Sequence, residues 1–218
     1  MKTAIVFDLD GTLLDTLGDL SDAVNHTLRR LGKPERTQEE LRYMIGNGTM
    51  ALLVSALAGA DRELDMEQVM CQYRAYYDAH SCVKTGPYPG VVEALLRIQE
   101  QYPVAIVSNK PHPVVTDLAA RFFPGIYALG ESPDLPKKPA PDMVRKALAE
   151  LGADRCIYVG DTEVDLETAQ NAGAPCLCVL WGFRDRDRLD RAGAKYYCEN
   201  AADLPKLVEQ ILGELYGQ

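Results

Sequence analysis

The stretch Thr3-Ala4-Ile5-Val6-Phe7-Asp8-Leu9-Asp10-Gly11-Thr12 decides how the chain is read. Residues 3–7 are apolar or β-branched at successive positions, without the alternation of a half-exposed strand. Such a run fits a strand buried on both faces of a parallel sheet. It ends abruptly in acids and a glycine. In an open α/β sheet, ligands bind beyond the carboxyl ends of the strands. Asp8 and Asp10 therefore stand where a site would form, and their spacing on an extended chain projects them to the same side. Carboxylates that close repel each other unless a cation or proton intervenes, so the pair implies a metal, a shared proton, or both. Gly11 permits a sharp turn and lets backbone N–H groups approach an anion. A calcium loop of the EF-hand kind is excluded: its glycine would fall on Leu13 and its closing glutamate on Asp19.

Working outward, similar apolar runs recur at 104–108, 126–129, 156–160, 176–180 and 195–198. Helical patterns lie between them at 90–101, 113–122, 139–151, 165–172, 185–192 and 203–216. This alternation predicts a doubly wound α/β parallel sheet of Rossmann-like type. One segment breaks it. From residue 16 to 86 there is no convincing strand, but helical patterns at 17–31, 38–45, 50–58 and 63–81. Gly32 with Pro34, Gly46-Asn47-Gly48 and Gly59 are their stop signals. The expectation is an α/β core over 1–15 and 87–218, with a helical cap over 16–86 inserted through two hinges. One hinge follows Leu14; the other is Gly86-Pro87-Tyr88-Pro89-Gly90.

The 218 residues are 47% hydrophobic, ordinary for a globular protein. Six cysteines form no CxxC pair, which argues against a zinc or thioredoxin-like site. No stretch approaches the roughly 20 apolar residues of a membrane span. A cytoplasmic protein with reduced thiols is expected, as a monomer or small homo-oligomer. The net charge of −9 argues against nucleic acid as a partner. It also requires any anionic substrate to meet a local inversion of the field, by a metal ion or a lysine.

Other strand ends supply such groups. The run 104–108 leads into Ser108-Asn109-Lys110, a hydroxyl and backbone donors suited to phosphate. Pro136-Lys137-Lys138-Pro139 offers Pro139 as a first helical residue, which puts Lys138 at a helix entrance. Tyr158-Val159-Gly160 leads to Asp161-Thr162-Glu163-Val164-Asp165, where Asp161 and Asp165 share a helical face and suit Mg²⁺. Together these strand ends present what metal-assisted phosphoryl transfer needs.

On these motifs the chain resembles the haloacid dehalogenase superfamily, and within it the phosphoglycolate phosphatase-like hydrolases. Asp8-Leu9-Asp10-Gly11-Thr12 is similar to the first motif, Ser108-Asn109-Lys110 to the second, Lys138-Pro139 to the third and Gly160-Asp161 through Asp165 to the fourth. Ile45-Gly46-Asn47-Gly48 resembles the cap pattern. The resemblance implies a Mg²⁺-dependent phosphatase acting on a small phosphorylated metabolite through an aspartyl-phosphate. It implies Asp8 as nucleophile and metal ligand, and Asp10 as acid and base that also binds metal through its carbonyl. Asp161 would complete the metal shell, with Asp165 behind it. Ser108, Asn109 and Lys138 would hold phosphoryl oxygens, Thr12 would orient the turn, and Gly46, Asn47 and Gly48 would meet the substrate from the cap.

Pyrophosphatase, nucleotide phosphatase and phosphomutase activities on this scaffold remain open, although Thr12 favours hydrolysis over mutase action. A phospho-accepting receiver domain is the non-enzymatic alternative; it would lack both the helical insert and an acid at the position of Asp10. Glu163 leaves the metal shell open. His112 reads as a surface helix-cap residue, and Trp181-Gly182-Phe183-Arg184 as packing and loop before site rim. The alternating run 184–188 reads as a solvated helix start. Tyr73, Tyr76 and Tyr77, at helical spacing, read as cap core.

Overall fold

The computed structural model describes residues 1–58 and 64–217. β1 (Thr3–Phe7) is buried at every position, as its composition requires. It lies between β4 (Val104–Pro111) and β6 (Arg155–Gly160), parallel to both. With β5 (Tyr127–Glu131), β7 (Cys176–Val179) and β8 (Tyr196–Cys198) the order is β5-β4-β1-β6-β7-β8, parallel throughout. The chain leaves β1 toward β4 and later returns to its other side at β6. That reversal of winding opens a crevice at the carboxyl end of β1, the place where such sheets bind ligands.

Strand pleating sorts the core into two layers. Ile5 and Phe7 face a cluster shared with α5 (Val91–Gln99), α6 (His112–Phe122) and α10 (Leu204–Tyr216). Ala4 and Val6 face the opposite cluster, with α7 (Asp142–Leu151), α8 (Glu163–Ala172) and α9 (Arg186–Arg191). A third cluster belongs to α1 (Leu17–Arg30), α2 (Gln38–Arg42), α3 (Thr49–Ala56) and α4 (Met66–His80), joined by Phe183 from the sheet side. The Gly59 stop signal and the predicted helix start at Glu63 lie outside the described residues.

The structure departs from expectation at several places. β2 (Leu14–Asp15) pairs antiparallel with β3 (Gly86–Pro87), so the two predicted hinges form one short ribbon. Buried Asp19 accepts the N–H groups of Val83, Lys84 and Thr85 just before β3, at 2.9–3.0 Å. α2 stops at Arg42 rather than at 45. The Arg184 guanidinium takes the carbonyls of Arg42 and Ile45, at 2.8 and 2.7 Å, which a continuing helix would spend on its own N–H groups. α7 begins at Asp142, so Pro139 is not a first helical residue and Lys138 is not at a helix entrance. Pro141 explains this, because a proline disfavours the helical conformation of the residue before it, Ala140. Arg184 itself is 2% exposed, not part of a solvated run.

Candidate active site

Asp8 follows directly from β1 and Asp161 from β6, so neighbouring parallel strands deliver the first and fourth motifs side by side. Lys138 arrives from the loop before α7 and inserts between them. Its ammonium lies 2.6 Å from Asp8 Oδ1, 2.8 Å from Asp165 Oδ1 and 3.1 Å from the Tyr158 hydroxyl. Asn109 holds the lysine backbone at both ends: the Lys138 N–H donates to Asn109 Oδ1, and Asn109 Nδ2 donates to the Lys138 carbonyl. The carbonyl of Gly46 accepts from the same amide, at 3.1 Å.

The other acids are oriented as tightly. Asp161 Oδ1 accepts from the Thr12 hydroxyl at 3.0 Å, and Oδ2 from the N–H of Phe183 at 2.7 Å. Asp165 Oδ2 accepts from the N–H groups of Asp161 and Thr162 and from the Thr162 hydroxyl. Close packing here depends on glycine. A Cβ on Gly11, whose φ is +85°, would stand 2.4 Å from Asp161 Oδ2.

Asp8, Asp161 and Asp165 each offer an oxygen within 4.8 Å of the others, and all are buried. Burial, opposed by Lys138 but reinforced by Asp165 and Asp161, pushes Asp8 well above the usual carboxylate range. Asp161 is pushed up to about 7, by burial first and then by Asp165. Burial would also raise Asp165, but Lys138 and the Thr162 bonds hold it low. Lys138 stays charged because Asp165 and Asp8 outweigh its desolvation. One ammonium thus faces three carboxylates. If all are ionised, two negative charges remain uncompensated in a buried site. Hard oxygen donors with that surplus fit a divalent cation.

Asp10 points to a second, balanced pair, with Lys110 Nζ 2.8 Å from its Oδ1. A cavity of about 40 Å³ opens between these groups and the helices above. Asp8, Asp10, Ser108, Asn109, Lys110 and Lys138 line it from the sheet; Gly46, Gly48, Tyr73 and Tyr77 line it from α1–α4 and their loops. Thr12 lies beneath, spent on Asp161. Asn47 is exposed and does not line the cavity; its carbonyl accepts from Lys137 at 3.1 Å.

Several participants escaped the sequence reading. Lys110, in the second-motif stretch, pairs with Asp10, a role its sequence position does not specify. Glu163 turns from the carboxylates and binds Arg184 and Arg188. The 181–184 loop does more than pack, since Phe183 holds Asp161 and the Trp181 indole donates to the Thr12 carbonyl. His112 braces β5 instead of meeting the cavity, its ring accepting from the Gly130 N–H. Tyr73 and Tyr77 are buried in the cluster of α1–α4 and also line the cavity, whereas Tyr76 stacks between His26 and His80. The position of Lys110 at a strand end is a local signal; the helical spacing of Tyr73 and Tyr77 marks a buried face but not the cavity, and the alternating charges of 184–188 hide the burial of Arg184.

The chain is similar to several known proteins. The phosphoglycolate phosphatase of Rhodobacter capsulatus is 35% identical, over 96% of this chain and 98% of its own. That of Colwellia psychrerythraea is 30% identical, over 89% and 92%. A solved structure from Lactobacillus delbrueckii subsp. bulgaricus, provisionally named a phosphoglycolate phosphatase, is 33% identical with a TM-score of 0.90, covering 95% of this chain and 99% of that one. The model of haloacid dehalogenase-like hydrolases matches residues 5–179, from the first motif strand through β7, and the chain belongs to that family.

Proposed function

We propose that the protein is a Mg²⁺-dependent phosphatase that hydrolyses a compact phosphate monoester through an aspartyl-phosphate on Asp8. The single observation that carries the proposal is Lys138 shared by Asp8 and Asp165 beside Asp161, three buried acids around one ammonium. Such a cluster suits a reaction whose substrate and transition state carry negative charge. Asp8, Asp161 and the Asp10 carbonyl would hold Mg²⁺, with Asp165 fixing Asp161 and Lys138 from behind. The cation, when bound, supplies charge neutralisation at the transferring phosphoryl group.

The remaining chemistry belongs to the chain. An Asp8 carboxylate oxygen attacks phosphorus while the ester P–O bond breaks, and Asp10 gives a proton to the departing oxygen. Water then attacks the acyl phosphate, Asp10 takes its proton, and the Asp8–phosphorus bond breaks to release phosphate. Splitting the hydrolysis needs a nucleophile whose product is itself labile, which an acyl phosphate is. The pairing of Asp10 with Lys110 suits the carboxylate form, the one that takes the proton from water in the second step. Lys138 and Ser108 hold phosphoryl oxygens.

Residues 16–86 act in this reading as a cap over the α/β core, and Gly46 and Gly48 close on the substrate while water is excluded. The relatives named for phosphoglycolate support a small phosphorylated organic acid. Nucleic acid and membranes are not partners, and the cytoplasm is the site of action.

The test is trapping with ³²P-labelled ester in Mg²⁺. Label should attach to the parent at Asp8, and Asp8→Asn should lose both label and turnover while keeping the parent's circular dichroism. Turnover by Asp8→Asn near the parent rate would refute the covalent route.

A further inference from the structure

α3 is apolar on more sides than its own packing uses. None of its residues, Thr49 through Ala56, is charged. Leu52, Leu53 and Ala56 are buried in the cluster of α1–α4. Met50 and Val54, one turn apart, are 39% and 52% exposed. A helix that is apolar all round is ordinarily covered on every side. Met50 also borders a groove of about 500 Å³, which α4 lines with Glu67, Met70, Cys71, Arg74 and Ala75. α3 and α4 thus share one outer face, apolar along α3 and charged at two places along α4.

The order of those charges is informative. Glu67 and Arg74 are exposed and stand two turns apart on one side of α4, about 10 Å along its axis. That exceeds the three- or four-residue spacing at which a helix pairs its own side chains. Neither side chain has an ion pair or a hydrogen bond among the described residues. Cys71 lies between them, and its side chain and that of Ala75 are short enough for a second helix to come close. A two-fold axis passing between residues 70 and 71 makes this face its own complement. Laid antiparallel on a second α4, Glu67 meets the partner's Arg74, Arg74 meets the partner's Glu67, and Cys71 lies beside the partner's Cys71. Such reciprocity defines a closed two-fold contact. The net charge of −9 opposes self-association elsewhere on the surface, which confines contact to a patch whose charges cancel in pairs. We propose that α3 and α4 form a docking face for a second copy of this chain, which dimerises through its helical segment about an axis beside Cys71. Two short helices present fewer than the roughly 20–30 residues a side of a standard interface, so the affinity expected is micromolar.

Sedimentation velocity of the full chain in reductant should show the mass rise from 24.0 kDa toward twice that value between about 2 and 200 µM. Glu67→Arg alone and Arg74→Glu alone each turn two ion pairs into two like-charge contacts. Each should weaken association by at least about tenfold. The double reversal, Glu67→Arg with Arg74→Glu, re-forms both pairs with opposite sign and should bring association back to within about threefold of the parent. Val54→Lys, which puts a charge on the apolar half of the face, should weaken it as well. A short bis-maleimide should join two parent copies, and Cys71→Ser should lose that product. All these side chains are exposed and none lines the cavity with Asp8, so circular dichroism, melting and any turnover should match the parent's.

Weakening by each single reversal with recovery in the double supports the dimer, because no contact other than a reciprocal Glu67–Arg74 pairing predicts that recovery. A chain that stays monomeric across the whole range would overturn the proposal. So would a dimer indifferent to Val54→Lys and to both single reversals, since its contact would lie elsewhere. Single reversals that weaken association without recovery in the double would also overturn it, because the antiparallel pairing about the axis would then be wrong.

Discussion

Asp161 carries the most direct physical consequence at the level of single residues. Without a cation its carboxyl is raised from 3.8 to about 7, first by burial and then by Asp165. In the unfolded chain it titrates near its ordinary value of about 4. Between those values the folded state holds a proton that the unfolded state has released, so stability falls as pH rises through the window. A bound divalent cation removes that penalty. Chelator-treated protein should therefore lose melting temperature between pH 5 and pH 8, and Mg²⁺ should raise it more at pH 8 than at pH 5. Asp161→Asn should shrink both trends, leaving the part that Asp8, also raised by burial, contributes. Equal shifts by Mg²⁺ at the two pH values, measured by calorimetry, would contradict this assignment. Asp161 was legible in the sequence as an acid at a strand end. Its environment was not, because its burial comes from the packing of the whole chain and the groups that hold its two oxygens, Thr12 and Phe183, lie far from it in sequence.

Between elements, the contact that decides most is Arg184. Its guanidinium reaches Glu163 at the start of α8, the carbonyl of Arg42 at the end of α2 and that of Ile45 beyond it. Arg42 answers by donating to the carbonyls of Gly182 and Phe183, at 3.0 and 2.7 Å. The loop after β7 is thus clasped to α2 on one side and to Asp161 on the other. Arg184→Met keeps most of the volume but leaves two carbonyls without a donor. It should cost about 2–3 kcal/mol of stability, read as a lower urea midpoint with an unchanged slope. Arg184→Lys should recover part of that loss, since an ammonium can serve one carbonyl but not the planar set. A stability of Arg184→Met within about 0.5 kcal/mol of the parent would show that the clasp is idle. The alternating charges of 184–188 concealed this arginine, because a local pattern of sign does not report which side chain the fold turns inward.

For the molecule as a whole, the question is how the helical segment stays attached. The chain crosses between it and the sheet at 14–16 and at 83–87, and β2 pairs with β3 there. Asp19 ties the crossings together. It is 2% exposed and accepts from the N–H groups of Val83, Lys84 and Thr85 and from the Thr85 hydroxyl. Asp19→Ala strands these amides, each worth about 1–3 kcal/mol if left unpaired. A loss of at least about 3 kcal/mol is expected, with faster hydrogen exchange at residues 83–85 and smaller effects in β1 and β6. Exchange at 83–85 equal to the parent's would contradict the assignment. The Gly/Pro content of 86–90 is legible as a joint; that Asp19, from the start of α1, ties down residues 83–85 just before it is not.

What the sequence by itself determined was the part written in local composition. Five or so consecutive apolar residues can be satisfied only between two layers, so β1 and its parallel neighbours were readable, and with them the strand ends that carry Asp8, Ser108 and Asp161. The interruption of that rhythm marked the helical segment. Only the tertiary structure decided which strand ends meet. Lys138 reaches Asp8 across 130 residues of chain, Lys110 reaches Asp10 across 100, and Arg184 reaches Ile45 across 139. Those contacts depend on β1 lying between β4 and β6 and on α2 ending early beneath Arg184. Periodicity reports which face of an element is buried, but the partner on the far side of that burial is set by the packing of the whole chain.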